Sequence, residues 1–230
     1  MTESQKAVLF DVDGTLVDTN YLHAVCWWEA FAQAGHDVPM GRIHRAIGMG
    51  SDQMLDALLP EDRDRDEDGS MRAAHSALYA TYWTRQRPLP GAADLLRECH
   101  QRGWRVVLAS SADANEFKAL RTALDVDDAI DDATSSAEVK QSKPAPDLVQ
   151  VALDKAQVKP DAAVFVGDTV WDVQAAGKAG VVCVGLLSGG IGRDELTGAG
   201  AAAIYDGPAE LLAALRDGPA ERVLGRPSTS

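Results

Sequence analysis

The sequence predicts an α/β fold: a parallel sheet covered by helices on both faces, interrupted once by an all-helical insertion. Three observations predict it. Short apolar runs of strand length recur with amphipathic helical stretches between them, the alternation of a parallel sheet buried on both sides. One interval, roughly residues 16–88, breaks that alternation and carries helix signals alone. The 230 residues, 46% hydrophobic and 25% charged, are enough for a full-sized core with a smaller unit attached.

The first run, residues 7–12, reads as a buried strand. It ends in two acids, Asp11 and Asp13, followed at once by Gly14 and Thr15. In the insertion, residues 21–35 place Tyr21, Val25, Trp28 and Phe31 at i, i+4, i+7 and i+10, the apolar face of a helix that Gly35 ends. Residues 51–60 read as a helix with an N-cap serine and a terminating proline, and residues 70–86 as a third helix. Trp27, Trp28 and Trp83 are expected to build the core of this unit. A rigid linker, RPLPG, closes it. Emerging right after the acidic strand tip, the insertion can sit over that tip as a lid.

Residues 91–103 follow as a helix with Leu95, Leu96 and Cys99 at helical spacing and Gly103 as its stop. Strands at 105–110, 133–135, 162–166, 181–185 and 202–205 then alternate with helices at 112–124, 146–156, 170–179 and 208–216. The tail, residues 225–230 (GRPSTS), is expected to be disordered.

Charge and cysteines narrow the function. A formal net charge of −13 argues against nucleic acid and anionic membranes as partners, and means that an anionic substrate must be drawn in by local cations. Cys26, Cys99 and Cys183 are odd in number, widely spaced and each inside a predicted element, so they read as small buried hydrophobes in a reducing compartment. The N-terminus lacks the pattern of a secretory leader and no apolar run approaches membrane-spanning length. The expected location is cytoplasmic.

The acids define the chemistry. Parallel sheets bind ligands at the carboxyl ends of their strands, where Asp11 and Asp13 lie. A second apolar strand also ends in acids, Asp168 and Asp172 in VFVGDTVWD. A third, VVLASSAD, ends in Ser110 and Ser111, hydroxyls and amides placed to cradle a phosphate. KQSKPAPD holds Lys143 just before two prolines that stiffen its backbone. Each piece alone has a plainer reading: an Asp-Gly turn, a helix N-cap, a solvated lysine. Pooled, the acids suit Mg²⁺, and a cation plus a hydroxyl cradle offsets the repulsion between a carboxylate nucleophile and a phosphate dianion.

In this order, DVDGTLVD, LASS, SKPAPD and GDTVWD resemble the four motifs of the haloacid dehalogenase superfamily of phosphatases, over residues 7–213. The resemblance implies a Rossmann-like catalytic core (residues 1–16 and 89–224) with a C1 helical cap (residues 17–88), as in the phosphoglycolate phosphatase and β-phosphoglucomutase-like branch. It implies Asp11 as nucleophile, Asp13 as general acid/base, and Ser110 and Lys143 holding the phosphoryl group, with Ser111 beside them in the cradle. Mg²⁺ would be bound by the Asp11 side chain, the Asp13 carbonyl and Asp168, with Asp172 in or near its shell. The substrate would be a small phosphorylated metabolite, of phosphoglycolate or sugar phosphate type, and the protein a monomer or homodimer.

Asp13 argues against dehalogenation, for which that acid is absent. Gly167 before Asp168 favours a hydrolase over a β-phosphoglucomutase-like mutase, which stands as the alternative. Residues 16–88 contain no lysine, against a Schiff-base phosphonatase. A signalling receiver uses similar groups but in another order and on a shorter chain. In the cap, His23 and the loop carrying Arg45, Gly48 and Met49 are candidate substrate contacts, the glycines leaving the backbone free to approach a ligand. Residues 61–69 imitate the start of a calcium loop, but its twelfth position is His75, so a solvated mixed-charge loop is expected.

Overall fold

The computed structural model of the chain describes residues 5–134, 136–218, 220 and 224; the expected disordered tail lies outside them. Six strands form one sheet: β1 (Ala7–Phe10), β2 (Arg105–Ala109), β3 (Asp132–Thr134), β4 (Ala163–Gly167), β5 (Val182–Leu186) and β6 (Ala203–Tyr205). Their order is β3-β2-β1-β4-β5-β6, and every neighbouring pair is parallel.

Four helices fall between β1 and the rest of the sheet: α1 (Asn20–Gln33), α2 (Met40–Ala46), α3 (Ser51–Leu58) and α4 (Asp68–Ala80). Among the described residues five more lie in the crossovers, α5 (Ala92–Gln101), α6 (Ala114–Leu124), α7 (Asp147–Ala156), α8 (Val170–Lys178) and α9 (Arg193–Ala199), and α10 (Pro208–Arg216) follows the last strand.

Because successive strand residues face opposite sides, β1 feeds two apolar layers. Val8 and Phe10 pack with Leu95 and Leu96 of α5, Leu120 of α6 and Leu215 of α10. Ala7 and Leu9 pack with Leu148 and Leu153 of α7, Val173 of α8 and Leu196 of α9. A fully buried leucine or phenylalanine contributes on the order of 2 kcal/mol relative to leaving it in water. Strand β1, buried along its whole length, is therefore firmly anchored on both faces. Chain order reverses around it, with β2 on one side and β4 on the other, so the crevice of the sheet opens at its carboxyl end.

The insertion has its own core, built on Trp27, Phe31, Ile43, Leu55 and Met71. It differs from the sequence expectation in its first helix. Tyr21, Val25 and Trp28 are 59%, 40% and 39% exposed, while His23, Ala24, Trp27, Ala30 and Phe31 face inward. Nearly every position of α1 is apolar or aromatic, so periodicity alone does not select a face. The choice is made by α4, whose His75 stacks on Trp27 with ring centroids 4.3 Å apart. Trp83 is half-buried in a short 3-10 turn beyond α4, which ends at Ala80, so the third predicted helix is two elements. Gly50, not Ser51, occupies the N-cap of α3.

The acidic loop at residues 61–69 is not simply solvated. Arg63, its side chain 2% exposed, gives two 2.9 Å bonds to Asp68 and one of 2.6 Å to Asp56. The three cysteines are buried and free, as expected. Among the described residues no helix is long and apolar enough to cross a membrane.

Candidate active site

Three strand ends supply the site. Asp11 follows β1 and donates its amide to Val166 O at 2.9 Å, carrying the β1–β4 ladder one bond further. Ser110 follows β2, and Asp168 follows β4. Lys143 comes from the loop before α7, joined to Pro144 by a cis peptide bond. It is not the solvated lysine that a turn would ordinarily carry. Its side chain is 2% exposed, and Nζ donates to Asp11 Oδ1 at 2.5 Å and to Asp172 Oδ1 at 2.7 Å.

Asp168 is not the N-cap of α8; Thr169 is. The Thr169 hydroxyl accepts from the Asp172 amide at 3.2 Å, and the Asp172 carboxylate accepts from the Thr169 amide at 3.0 Å. That capping box leaves Asp168 free to face the crevice. Thr15 Oγ1 and Asn20 Nδ2 each donate to it at 2.7 Å. Neither residue was singled out in the sequence, although Thr15 stands beside the first acidic pair. The backbone of Gly189 approaches so closely that a Cβ there would lie 1.6 Å from Asp168 Oδ2.

Ligand oxygens of Asp11, Asp168 and Asp172 lie within 4.8 Å of one another, all three residues buried. With all three ionised, these carboxylates and one ammonium carry a net charge of −2. Burial, eased by Lys143 and reinforced by Asp172 and Asp13, pushes the Asp11 carboxyl up to about 7. Burial and the charges of Asp172 and Asp11 push Asp168 well above the ordinary carboxylate range. For Lys143 burial works against charge, but Asp11 and Asp172 outweigh it and hold the ammonium above its usual value. The surplus matches the charge of one hard divalent cation in an all-oxygen donor set. Asn20 Oδ1, buried beside Asp168 with no partner among the described residues, leaves one further acceptor there. The residues therefore fit Mg²⁺.

Asp13 has different surroundings. Thr19 Oγ1 donates to its Oδ1 at 2.6 Å, and His23 Nε2 lies 3.3 Å from the same oxygen. Burial acts to raise Asp13, but His23 and Thr19 outweigh it, so its carboxyl sits below the ordinary value. His23 also meets Glu116 of α6 at 3.4 Å and His75 at 3.1 Å. Burial, then the charge of His23, pushes His75 down to about 3. His75 is thus neutral, and its Nε2 lies within hydrogen-bond reach of His23 Nδ1. Tyr79 stacks over His23 with centroids 3.8 Å apart. Two adjacent acids are held in contrast, Asp11 raised and Asp13 lowered, the arrangement that separates acid–base roles.

The insertion covers these groups. Gln53 Nε2 donates to Ser142 O at 2.8 Å, His44 Nε2 to Gly189 O at 2.9 Å, and Trp171 Nε1 to Arg45 O at 3.1 Å. A cavity of about 430 Å³ remains beneath, lined by Asp11, Asp13, Lys143 and Ser111 below and by His23, Gly48 and Met49 above. Gly48 has φ +94°, and a Cβ there would meet Thr169 at 2.8 Å, so the close approach expected of this loop is made toward the core.

Two expected residues, Arg45 and Ser110, do not line the cavity. Arg45 turns away from the cavity to pair with Glu195 of α9, both side chains exposed. Ser110 is buried, with its Oγ accepting from Ala112 N at 3.1 Å, while exposed Ser111 lines the cavity. Helix α6 begins two residues past the predicted start because Asp113 caps it, accepting from the amides of Asn115 and Glu116.

Comparison with known proteins is consistent with this geometry. A family model for haloacid dehalogenase-like hydrolases matches residues 5–180. A phosphoglycolate phosphatase of Rhodospirillum rubrum is 30% identical over 90% of this chain and 89% of its own length. A β-phosphoglucomutase of Bacillus subtilis is 28% identical over 80% and 84%. The crystal structure of a hydrolase from Pseudomonas syringae superposes with a TM-score of 0.87 at 33% identity, covering 93% of this chain and 99% of that one.

Proposed function

Because this chain belongs to the haloacid dehalogenase-like hydrolases, we propose that it is a Mg²⁺-dependent phosphohydrolase that cleaves a small phosphomonoester through an aspartyl phosphate on Asp11. The observation that carries this reading is Lys143, whose buried ammonium bridges Asp11 and Asp172 inside the three-carboxylate group. Such a cation is placed to meet phosphoryl oxygens as they approach Asp11.

Asp11 attacks phosphorus and the ester oxygen leaves. Asp13 gives that oxygen its proton, then takes one from the water that hydrolyses the intermediate. Its lowered proton affinity keeps it ionised, the form that accepts the proton in the second step. In the first, the dianionic phosphoryl group beside it raises that affinity, as a like charge does. His23 holds Asp13 in place through Nε2. Ser111, with the amides around Ser110, faces the phosphoryl oxygens, and Lys143 holds them against Asp11.

Asp11, Asp168 and the Asp13 carbonyl would hold Mg²⁺, with Asp172 supporting them. Bound there, Mg²⁺ supplies positive charge that offsets repulsion between carboxylate and phosphate. Asp172 also anchors Lys143, and Thr15 and Asn20 orient Asp168. The lid formed by the insertion keeps bulk water from the intermediate.

The substrate class is a phosphoglycolate or sugar phosphate type of metabolite, supported by the names of the relatives. The mutase reading differs only in what accepts the phosphoryl group; Gly167 ahead of Asp168 favours water. Quenching the reaction in acid with ³²P-labelled substrate tests the proposal. Label should remain on the wild-type chain only with Mg²⁺ present, and none on Asp11→Asn. Labelling of Asp11→Asn, or turnover by it within tenfold of wild type, would overturn the assignment of the nucleophile.

A further inference from the structure

We infer that the substrate carries a second anionic group, a carboxylate or a second phosphate, and that Arg72 of the insertion receives it. This rests on the proposed phosphohydrolase reading and names what the lid recognises. Arg45, the cap cation selected from the sequence, lies outside the cavity, whereas Arg72 on α4, one turn from His75, lines it together with Asp11 and Lys143.

Arg72 is half-buried and, among the described residues, its guanidinium makes no hydrogen bond or ion pair. The carboxylate that feels its charge is Asp68, one turn earlier. Both oxygens of Asp68 are already taken by Arg63, at 2.9 Å each.

The acids around the cavity are all engaged. Asp11 holds Lys143, Asp13 and Glu116 face His23, Asp52 accepts from Ser142 Oγ at 2.7 Å, and Asp113 caps α6. Of the charged side chains on the wall, two cations are left over among the described residues, Arg72 and Lys140. Lys140 stands exposed in a loop; Arg72 is carried on a helix of the lid itself. In a protein of net charge −13, a guanidinium half-buried without an anion is a receptor for one, and its planar fork matches carboxylate or phosphate oxygens. The cavity of about 430 Å³ suits a compact metabolite with an anion at each end. A phosphomonoester with an uncharged tail leaves Arg72 unpaired when the lid closes, a penalty that translates into selectivity.

The test measures kcat/KM for four probes, each divided by that for p-nitrophenyl phosphate. Phosphoglycolate carries a carboxylate, fructose 1,6-bisphosphate a second phosphate, glycerol 1-phosphate an uncharged tail and O-phosphoethanolamine a cationic one. Wild type should favour one of the first two over the last two by about 30-fold. Which of the two it favours identifies the anion. Arg72→Gln should abolish the preference, chiefly through KM, Arg72→Lys should retain part of it, and Arg45→Gln should leave it in place.

The inference is overturned if glycerol 1-phosphate or O-phosphoethanolamine is preferred. It is also overturned if Lys140→Gln rather than Arg72→Gln removes the preference, or if Arg72→Gln slows all probes equally. Wild type that turns over p-nitrophenyl phosphate without discriminating defeats this inference alone, while wild type with no phosphatase turnover defeats the reading beneath it.

Discussion

Asp11→Asn is expected to make the metal-free protein more stable while it abolishes turnover. Asparagine keeps the shape of aspartate and still offers Lys143 an acceptor, but it removes a charge that the site holds at a cost. With its carboxyl pushed up to about 7 from the 3.8 of an unburied aspartate, Asp11 binds its proton more tightly folded than unfolded. Stability from such a group is fully present below 3.8 and lost as pH rises through about 7. At 1.36 kcal/mol per pH unit, the interval from 3.8 to about 7 comes to about 4 kcal/mol at pH 8. At pH 5 only the part between 3.8 and 5 counts, roughly 1–2 kcal/mol.

Urea denaturation in EDTA, followed by circular dichroism, should therefore show Asp11→Asn ahead of wild type by about 2–4 kcal/mol at pH 8, with a gap that shrinks toward pH 5. Adding Mg²⁺ should stabilise wild type more than the variant, because the cation binds the native carboxylate group. Equal stability at pH 8, or a gap that widens toward pH 5, would refute the claim that the acidic group is held against its own repulsion.

Lys143→Met should lower stability of the metal-free protein by about 3–5 kcal/mol at pH 8, since it strands Asp11 and Asp172 without their buried cation; the same denaturation series reads this out. Asn20→Ala removes one of the two donors that orient Asp168, and should raise the Mg²⁺ concentration for half-activation by about 10–100-fold. Gly50→Ala places a Cβ 1.8 Å from Ser142 Oγ, which breaks the Ser142–Asp52 bond between core and insertion. Steady-state kinetics should show about a tenfold loss in kcat/KM as the lid closes less well. Trp27→Ala should cost about 3–5 kcal/mol and Trp28→Ala under about 1 kcal/mol, a contrast in thermal unfolding that follows from which side of α1 is buried.

Strand positions were legible because β1, β2, β4 and β5 are short, almost wholly apolar runs, the local pattern of a doubly covered parallel strand. The acids at the ends of two of them were legible for the same reason: a charge where an apolar run stops stands out. Helix α9, short and polar on its surface, carries too little periodicity to be read, and periodicity does not select the inward face of α1 because too many of its positions are apolar. Lys143 shows the limit most clearly. Nothing local tells a lysine before a proline that it will be 2% exposed; only the approach of Asp11 and Asp172 from distant strand ends makes that burial tolerable.

By itself the sequence determined the order of the strands and of most helices, the place of the helical insertion, and the acids, hydroxyls and lysine available to the crevice. These depend on periodicity and residue type, which act over a few residues. The tertiary structure alone decided which cation of the insertion enters the cavity, Arg72 rather than Arg45, and which histidines and glutamate surround Asp13. Such choices rest on how α1 and α4 stack through His23, Trp27, His75 and Tyr79, contacts spanning some fifty residues. Side-chain partnership across that distance is set by packing, and packing has no signature in local sequence.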